Sequence, residues 1–76
     1  MKDALYYIVS AIVDNKEALR VEEEDVEGVV TFTIFAAKED MGRLIGKEGK
    51  VIRAVRNVMK IPAMKEHKKV QIQLGE

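Results

Sequence analysis

The stretch "RLIGKEGKVIR", residues 43–53, decides the fold. It places Gly46 and Gly49 three residues apart inside a segment that otherwise has the periodicity of an amphipathic helix. Glycine inside a helix costs roughly 0.5–1 kcal/mol relative to alanine, so two glycines within one turn predict a break. We expect Gly46 to end a short helix in a left-handed conformation. Gly49 should precede the next helix, which begins near Lys50, and its missing side chain should let another backbone come close.

This break predicts an anion-binding site. The amides of Lys47 and Glu48 can point outward at the exposed N-terminus of the following helix, where the helix dipole favours negative charge. Arg43, Lys50 and Arg53 add cations nearby, so phosphate is the expected ligand. The glycine spacing matches neither the P-loop, G-x-x-x-x-G-K-[ST], nor the dinucleotide fingerprint, G-x-G-x-x-G.

The composition predicts one small folded domain over residues 1–76. The chain is 47% hydrophobic and 34% charged, which argues against disorder. It has no cysteine, which excludes disulfides, cysteine-bound zinc and a thiol nucleophile, and agrees with a cytoplasmic location. The apolar run "ALYYIVSAIV" is too short to span a bilayer and lacks the features of a signal peptide, so we interpret it as a core helix and expect no membrane partner.

Charge is segregated along the chain, although the formal net charge is zero. Residues 14–27 contain seven acidic and two basic residues, and residues 38–60 contain seven basic and three acidic residues. The basic segment surrounds the two glycines. This is typical of a surface that binds a polyanion, and it also fits an ordinary solvated helix face.

Three helices follow from apolar periodicity. The first is predicted over roughly residues 2–14, with Asp14 and Asn15 as a polar stop. A short second helix should start near Glu39 or Asp40, since acidic residues favour a first turn. The third is predicted over residues 50–60, because Pro62 should prevent its continuation.

Three strands are predicted by alternation of apolar and polar residues. The first begins near Leu19 and Val21, the second is "VVTFTIFAA" and the third is "KVQIQL". Gly28 supplies the positive φ that a tight hairpin between the first two strands needs. The order is therefore α-β-β-α-α-β. Helices covering the apolar face of the sheet make a two-layer α+β sandwich.

The string "EDMGRLIGKEGKVIRAVRNVM", residues 39–59, resembles the core of a KH domain. The family's I-G-x-x-G-x-x-I signature runs from Ile45 to Ile52, and the element order is that of the prokaryotic type II KH fold. That fold has a three-stranded mixed sheet covered by three helices. The resemblance extends over nearly the whole chain and is greatest to small bacterial proteins that consist of one KH domain.

The resemblance implies a binding site for single-stranded RNA, with DNA as a second candidate. In KH domains the G-x-x-G loop clamps the backbone of about four nucleotides. Residues 46–49 would contact phosphates and sugars, and Ile45 and Ile52 would form an apolar groove beneath the bases. Many family members have a more basic loop, so Glu48 predicts weaker binding without loss of it.

The resemblance also implies protein partners and a cellular role. It indicates a homodimer, or a complex with the larger KH-containing protein KhpB (also called Jag), that acts as an RNA chaperone or post-transcriptional regulator connected with cell-envelope, cell-division and cell-shape control. The alternative is a KH-fold protein-interaction module with little affinity for nucleic acid, which the balanced charge and Glu48 favour. We expect no enzymatic activity, catalytic residue, metal, cofactor or small-molecule substrate, because the sequence contains no nucleophile–base pair or metal-ligand set.

Overall fold

The structure is a computed structural model that describes residues 1–75. It confirms the predicted order of helices and strands, and Glu76, the last residue of the predicted domain, lies outside the described residues. The elements in chain order are α1 (Lys2–Ser10), β1 (Arg20–Val26), β2 (Val29–Phe35), α2 (Lys38–Ile45), α3 (Lys50–Lys65) and β3 (Lys69–Leu74), with short 3-10 turns at Lys16–Ala18 and Lys47–Gly49.

The strands form one mixed sheet in the order β1-β2-β3. β1 pairs antiparallel with β2, and β2 pairs parallel with β3. The β1–β2 hairpin closes at Glu27 and Gly28, whose φ angles of 51° and 81° are both positive, as the tightest hairpin turns require. The prediction of a turn at Gly28 is therefore confirmed.

The core lies between the sheet and the helices. Every second residue of β2, namely Val30, Phe32 and Ile34, is fully buried, whereas the alternate residues are only half-buried. The helices cover this face with their own apolar side chains. Those that are buried in the cluster are Leu5, Val9, Leu44, Ile52, Val55 and Met59. No helix within residues 1–75 is both long and apolar enough to cross a membrane.

Helix α1 is shorter than predicted. It ends at Ser10, after which the amides of Ala11 and Ile12 bond three residues back, to Ile8 and Val9, in a tightened final turn. The Val13 amide still donates to the Val9 carbonyl four residues back, and the amides of Asp14 and Asn15 then donate to the Asp40 carboxylate of α2. Helical hydrogen bonding therefore stops after Val13, because a tertiary contact takes the next two donors.

Helix α3 continues through Pro62 to Lys65, so the predicted end at residue 60 is wrong. Proline costs a helix about 3 kcal/mol, because it lacks an N–H and its ring crowds the carbonyl four residues earlier. That carbonyl belongs to Val58, which lies on the exposed side of the helix. On the opposite side, Met59 and Ala63 are buried. Their burial compensates for the lost hydrogen bond.

Candidate nucleic-acid interface

The loop between α2 and α3 turns on three residues with positive φ. Gly46 has φ 74° and ψ 175°, Glu48 has φ 57° and ψ 26°, and Gly49 has φ 75° and ψ 17°. The predicted break between two helices is therefore confirmed, and it extends over residues 46–49, here called the glycine loop.

Gly46 does not adopt the left-handed helical conformation that was expected of it. Gly49 is the left-handed residue, whereas the ψ angle of Gly46 lies outside the left-handed helical region. A Cβ at Gly46 would lie 2.9 Å from the backbone nitrogen of Val51 and closer still to its side chain. A Cβ at Gly49 would meet nothing within 4 Å. The close approach within the chain thus occurs at Gly46, and the space beside Gly49 is open.

Two amides of the glycine loop are available to a ligand. Gly49 N–H donates to the Gly46 carbonyl at 3.2 Å, and Lys50 N–H donates to the Lys47 carbonyl. Among residues 1–75, the amides of Lys47 and Glu48 donate to no other group. A left-handed residue after a right-handed one gathers successive N–H groups into a concave site for an anion.

The predicted basic residues differ in how their charges are used. Lys47 and Lys50 are exposed, and neither forms a salt bridge with any group in residues 1–75. Arg43 instead pairs with Asp14 and lies 3.7 Å from the Asp40 carboxylate. Its hydrogen bond to Asp14 raises the pKa of Arg43. The charges of Lys47 and Lys50 are thus available beside the glycine loop, whereas the charge of Arg43 is paired with acidic groups.

Arg53 makes a contact that the sequence analysis missed. Its guanidinium donates from Nη2 to the Glu48 carbonyl at 2.7 Å and from Nε to the Gly49 carbonyl at 3.4 Å. The signal in the sequence was the spacing, since an arginine on the first turn of a helix is four and five residues from these carbonyls.

The two isoleucines of the signature are placed differently. Ile45 ends α2 with 41% of its surface exposed, next to the glycine loop. Ile52 is only 8% exposed and belongs to the core. Ile45 can touch a ligand directly, and Ile52 can only support the groove from below.

Asp40 anchors the start of α2, and the sequence analysis did not foresee this. Its buried carboxylate accepts the backbone amides of Asp14 at 3.1 Å and Asn15 at 3.0 Å. These hydrogen bonds, led by that from Asn15, lower the pKa of Asp40, with a smaller contribution from Arg43. The sequence offers no signal for a contact between residues 25 positions apart.

Comparison with known proteins places this chain in a family. The family described as "KhpA/KhpB, KH domain" matches residues 2–74. The chain belongs to this KH-domain family. KH domains are binding domains and not enzymes, and the predicted type II order of elements agrees with the observed α+β fold.

Several relatives of this KH domain are similar over their full length. The RNA-binding protein KhpA of Clostridium perfringens is 36% identical over 74 residues, which cover 97% of this chain and 99% of the relative. KhpA of Chlamydia caviae is 34% identical over 76 residues, covering 100% and 97% of the two chains. KhpA of Listeria monocytogenes is 32% identical over 76 residues and all of both chains. No solved structure gives a significant match.

Proposed function

We propose that this KH domain binds single-stranded RNA through the backbone of the glycine loop. The observation that supports the proposal is that the amides of Lys47 and Glu48, directly before the N-terminus of α3, have no hydrogen-bond acceptor within residues 1–75. Membership of the KH family and the name of the relatives, RNA-binding protein KhpA, favour RNA as the ligand.

The contacts follow from the loop geometry. The two amides donate to a phosphate oxygen, and the ammonium groups of Lys47 and Lys50 add attraction that salt can screen. The open side of Gly49 admits the sugar–phosphate chain, and Ile45 contacts the face of a base. None of these groups reads the edge of a base, so binding should depend weakly on sequence, and single-stranded DNA can use the same contacts.

Glu48 moderates the strength of this interaction. Its side chain carries a negative charge at the loop, but its amide is the group that would bind phosphate, and that amide is unaffected by the side chain. We therefore place the affinity below that of a KH domain with a basic loop.

The test is the double variant Lys47→Asp/Glu48→Asp, measured by fluorescence anisotropy with short labelled RNA of random sequence. Binding should be lost while circular dichroism and the melting temperature stay as in the wild type, because both side chains are exposed. The control is Lys60→Asp, which places an acid on the exposed side of α3 away from the loop. Unchanged RNA binding by the double variant would show that the loop is not the site. A folded wild type without any RNA affinity would favour the protein-interaction module.

We also propose that the domain acts as a pair of KH modules, either as a homodimer or with the larger protein KhpB. The apolar residues of α3 extend beyond its buried face, and Ala54 and Val58 are exposed. Together with neighbouring side chains they form what we call the α1–α3 surface, made of Ile8, Ile12, Val51, Ala54, Val58 and Ile61.

This surface has the properties of a protein contact. A groove of about 340 Å³ runs between α1 and α3. On α3 the apolar residues recur at the spacing of one helix face, and the outermost, Val58 and Ile61, are 49% and 60% exposed. Large exposed apolar patches commonly mark interaction sites. A second KH module would raise the affinity for RNA, because two weak sites joined together bind one strand far more tightly than one site.

The cellular role that we propose is that of a cytoplasmic RNA chaperone or post-transcriptional regulator connected with cell-envelope and cell-division control. This role rests on the family resemblance. Crosslinking of RNA to the protein in cells, followed by sequencing, tests it. Enrichment of transcripts for envelope and division proteins supports the role, and the absence of any enriched RNA contradicts it.

A further inference from the structure

The carbonyl groups of the glycine loop all have partners inside the domain. Those of Gly46 and Lys47 accept backbone N–H groups of the turn itself. Those of Glu48 and Gly49 accept the guanidinium of Arg53, at 2.7 Å and 3.4 Å. The loop therefore has four satisfied acceptors and two free donors. An anion that approaches the loop can be met by these two N–H groups, because the carbonyl oxygens that would repel it are already hydrogen-bonded.

Arg53 also holds a backbone conformation that is unfavourable by itself. Glu48 has φ 57°, a region that residues with a Cβ rarely adopt. Its carbonyl forms the shorter of the two bonds to Arg53, so the guanidinium stabilises the peptide group that follows this unfavourable φ. The Arg53 cation also lies close to Glu48, and it offsets part of the negative charge of the Glu48 carboxylate.

We propose that Arg53 is a positioning residue, which keeps the amides of Lys47 and Glu48 directed outward to receive RNA phosphate. This inference rests on the proposed function of the loop. Arg53 was expected to add a cation beside the phosphate site, but its Nε and Nη2 already donate to the loop carbonyls. Lysine is a poor substitute, because only the planar guanidinium presents donors in a fixed fork.

The first test needs no RNA. Backbone ¹⁵N relaxation and amide hydrogen exchange are measured at residues 47–49 in the free protein, for the wild type, Arg53→Gln and Arg53→Lys. Both variants should increase the mobility of residues 47–49 and the exchange rate of the Gly49 amide, which is the one amide of the three that is hydrogen-bonded within the loop. The control Lys60→Gln removes a positive charge from the exposed side of α3 without touching the loop, and it should leave them unchanged. Wild-type order at these amides in Arg53→Gln would overturn the proposal.

The second test separates positioning from direct contact with phosphate. RNA affinity is measured for the same proteins over a range of salt concentrations. A positioning role predicts that Arg53→Lys weakens binding about tenfold although it keeps the charge, as loss of a charge-assisted hydrogen bond would. It also predicts that the slope of log K against log salt stays near the wild-type value in Arg53→Gln. If Arg53 contacted phosphate directly, Arg53→Gln would instead make the slope less steep by about 0.7, and Arg53→Lys would bind RNA as the wild type does. That result would overturn the proposal.

The two measurements also distinguish this inference from the proposed function. A wild-type protein that binds no RNA contradicts the proposed function, whereas the mobility of the loop in the free protein still decides whether Arg53 positions the amides.

Discussion

Val51 packs directly against Gly46, so that a Cβ added to this glycine would lie 2.9 Å from the Val51 backbone nitrogen. The first turn of α3 therefore lies against the end of α2, and there is no room for a side chain at residue 46. Gly49, three residues on, has open space around it.

The two glycines should therefore respond differently to alanine. Gly46→Ala introduces a clash as well as an unfavourable φ, and we expect it to lower the free energy of unfolding by about 2–4 kcal/mol. Gly49→Ala adds only the cost of a left-handed residue, about 1–2 kcal/mol. Chemical denaturation of both variants checks this order. Equal losses of unfolding free energy in the two variants would mean that the contact with Val51 does not exclude a side chain at residue 46.

Acid should weaken the attachment of α2 to the chain after α1. Because the backbone amides of Asp14 and Asn15 lower the pKa of Asp40 below the ordinary value of 3.8, its carboxylate stabilises the fold above that pH. This contribution is lost as the pH falls below that value and through the lowered pKa. Asp40→Asn should lower the melting temperature by several degrees at pH 7 and by less at pH 2.5. A difference between the proteins that stays constant with pH would contradict this account.

Replacement of Pro62 should stabilise α3. In Pro62→Ala the new N–H can bond to the Val58 carbonyl, and the crowding by the ring disappears, so we expect a gain of about 1–2 kcal/mol after the greater freedom of the unfolded chain is subtracted. Thermal unfolding measures it. A loss of stability would show that packing of the proline ring outweighs the missing hydrogen bond.

A charge on the α1–α3 surface should separate paired domains. Val58→Glu would bury a carboxylate in an apolar contact, so a wild-type dimer in analytical ultracentrifugation should become a monomer with weaker RNA binding. The matched control is Met64→Glu, because Met64 is 72% exposed on the same helix but lies outside this surface. Dimers that persist in Val58→Glu and dissociate in Met64→Glu would place the contact elsewhere on α3.

Neutralising the acid of the glycine loop should strengthen RNA binding. Glu48→Gln keeps the size and the backbone position of the residue but removes its repulsion of phosphate, so affinity should rise severalfold, and more at low salt. Glu39→Gln serves as the control, because it removes a negative charge at the exposed start of α2, away from the loop in sequence. Equal gains in the two variants would point to net charge and not to the loop.

The features that local sequence patterns predicted are those that local physics determines. Alternation in β2 placed Val30, Phe32 and Ile34 in the core, and Gly28 located the hairpin. Gly46 and Gly49 located the break between α2 and α3, because helical propensity and positive φ act within a few residues. The position of the candidate loop could therefore be predicted from neighbouring residues alone.

The features that the sequence did not reveal depend on contacts between distant segments. The helical hydrogen bonds after α1 stop at Val13 because Asp40 takes the amides of Asp14 and Asn15. Helix α3 passes Pro62 because Met59 and Ala63 are buried on its other side. Neither effect leaves a pattern in neighbouring residues. Arg53 was noted for its charge, and only the folded loop shows that it binds carbonyl groups.

The parallel pairing of β2 with β3 affects how the chain folds. Their register joins residues that are 40 positions apart, as in the contact between Thr31 and Gln71, whereas β1 and β2 meet across a two-residue turn. Closing the longer segment costs more chain entropy, so the hairpin should form early and β3 should dock late. The glycine loop lies within that late-closing segment. Substitutions at Gly46 should therefore act mainly by speeding unfolding, with little effect on the folding rate.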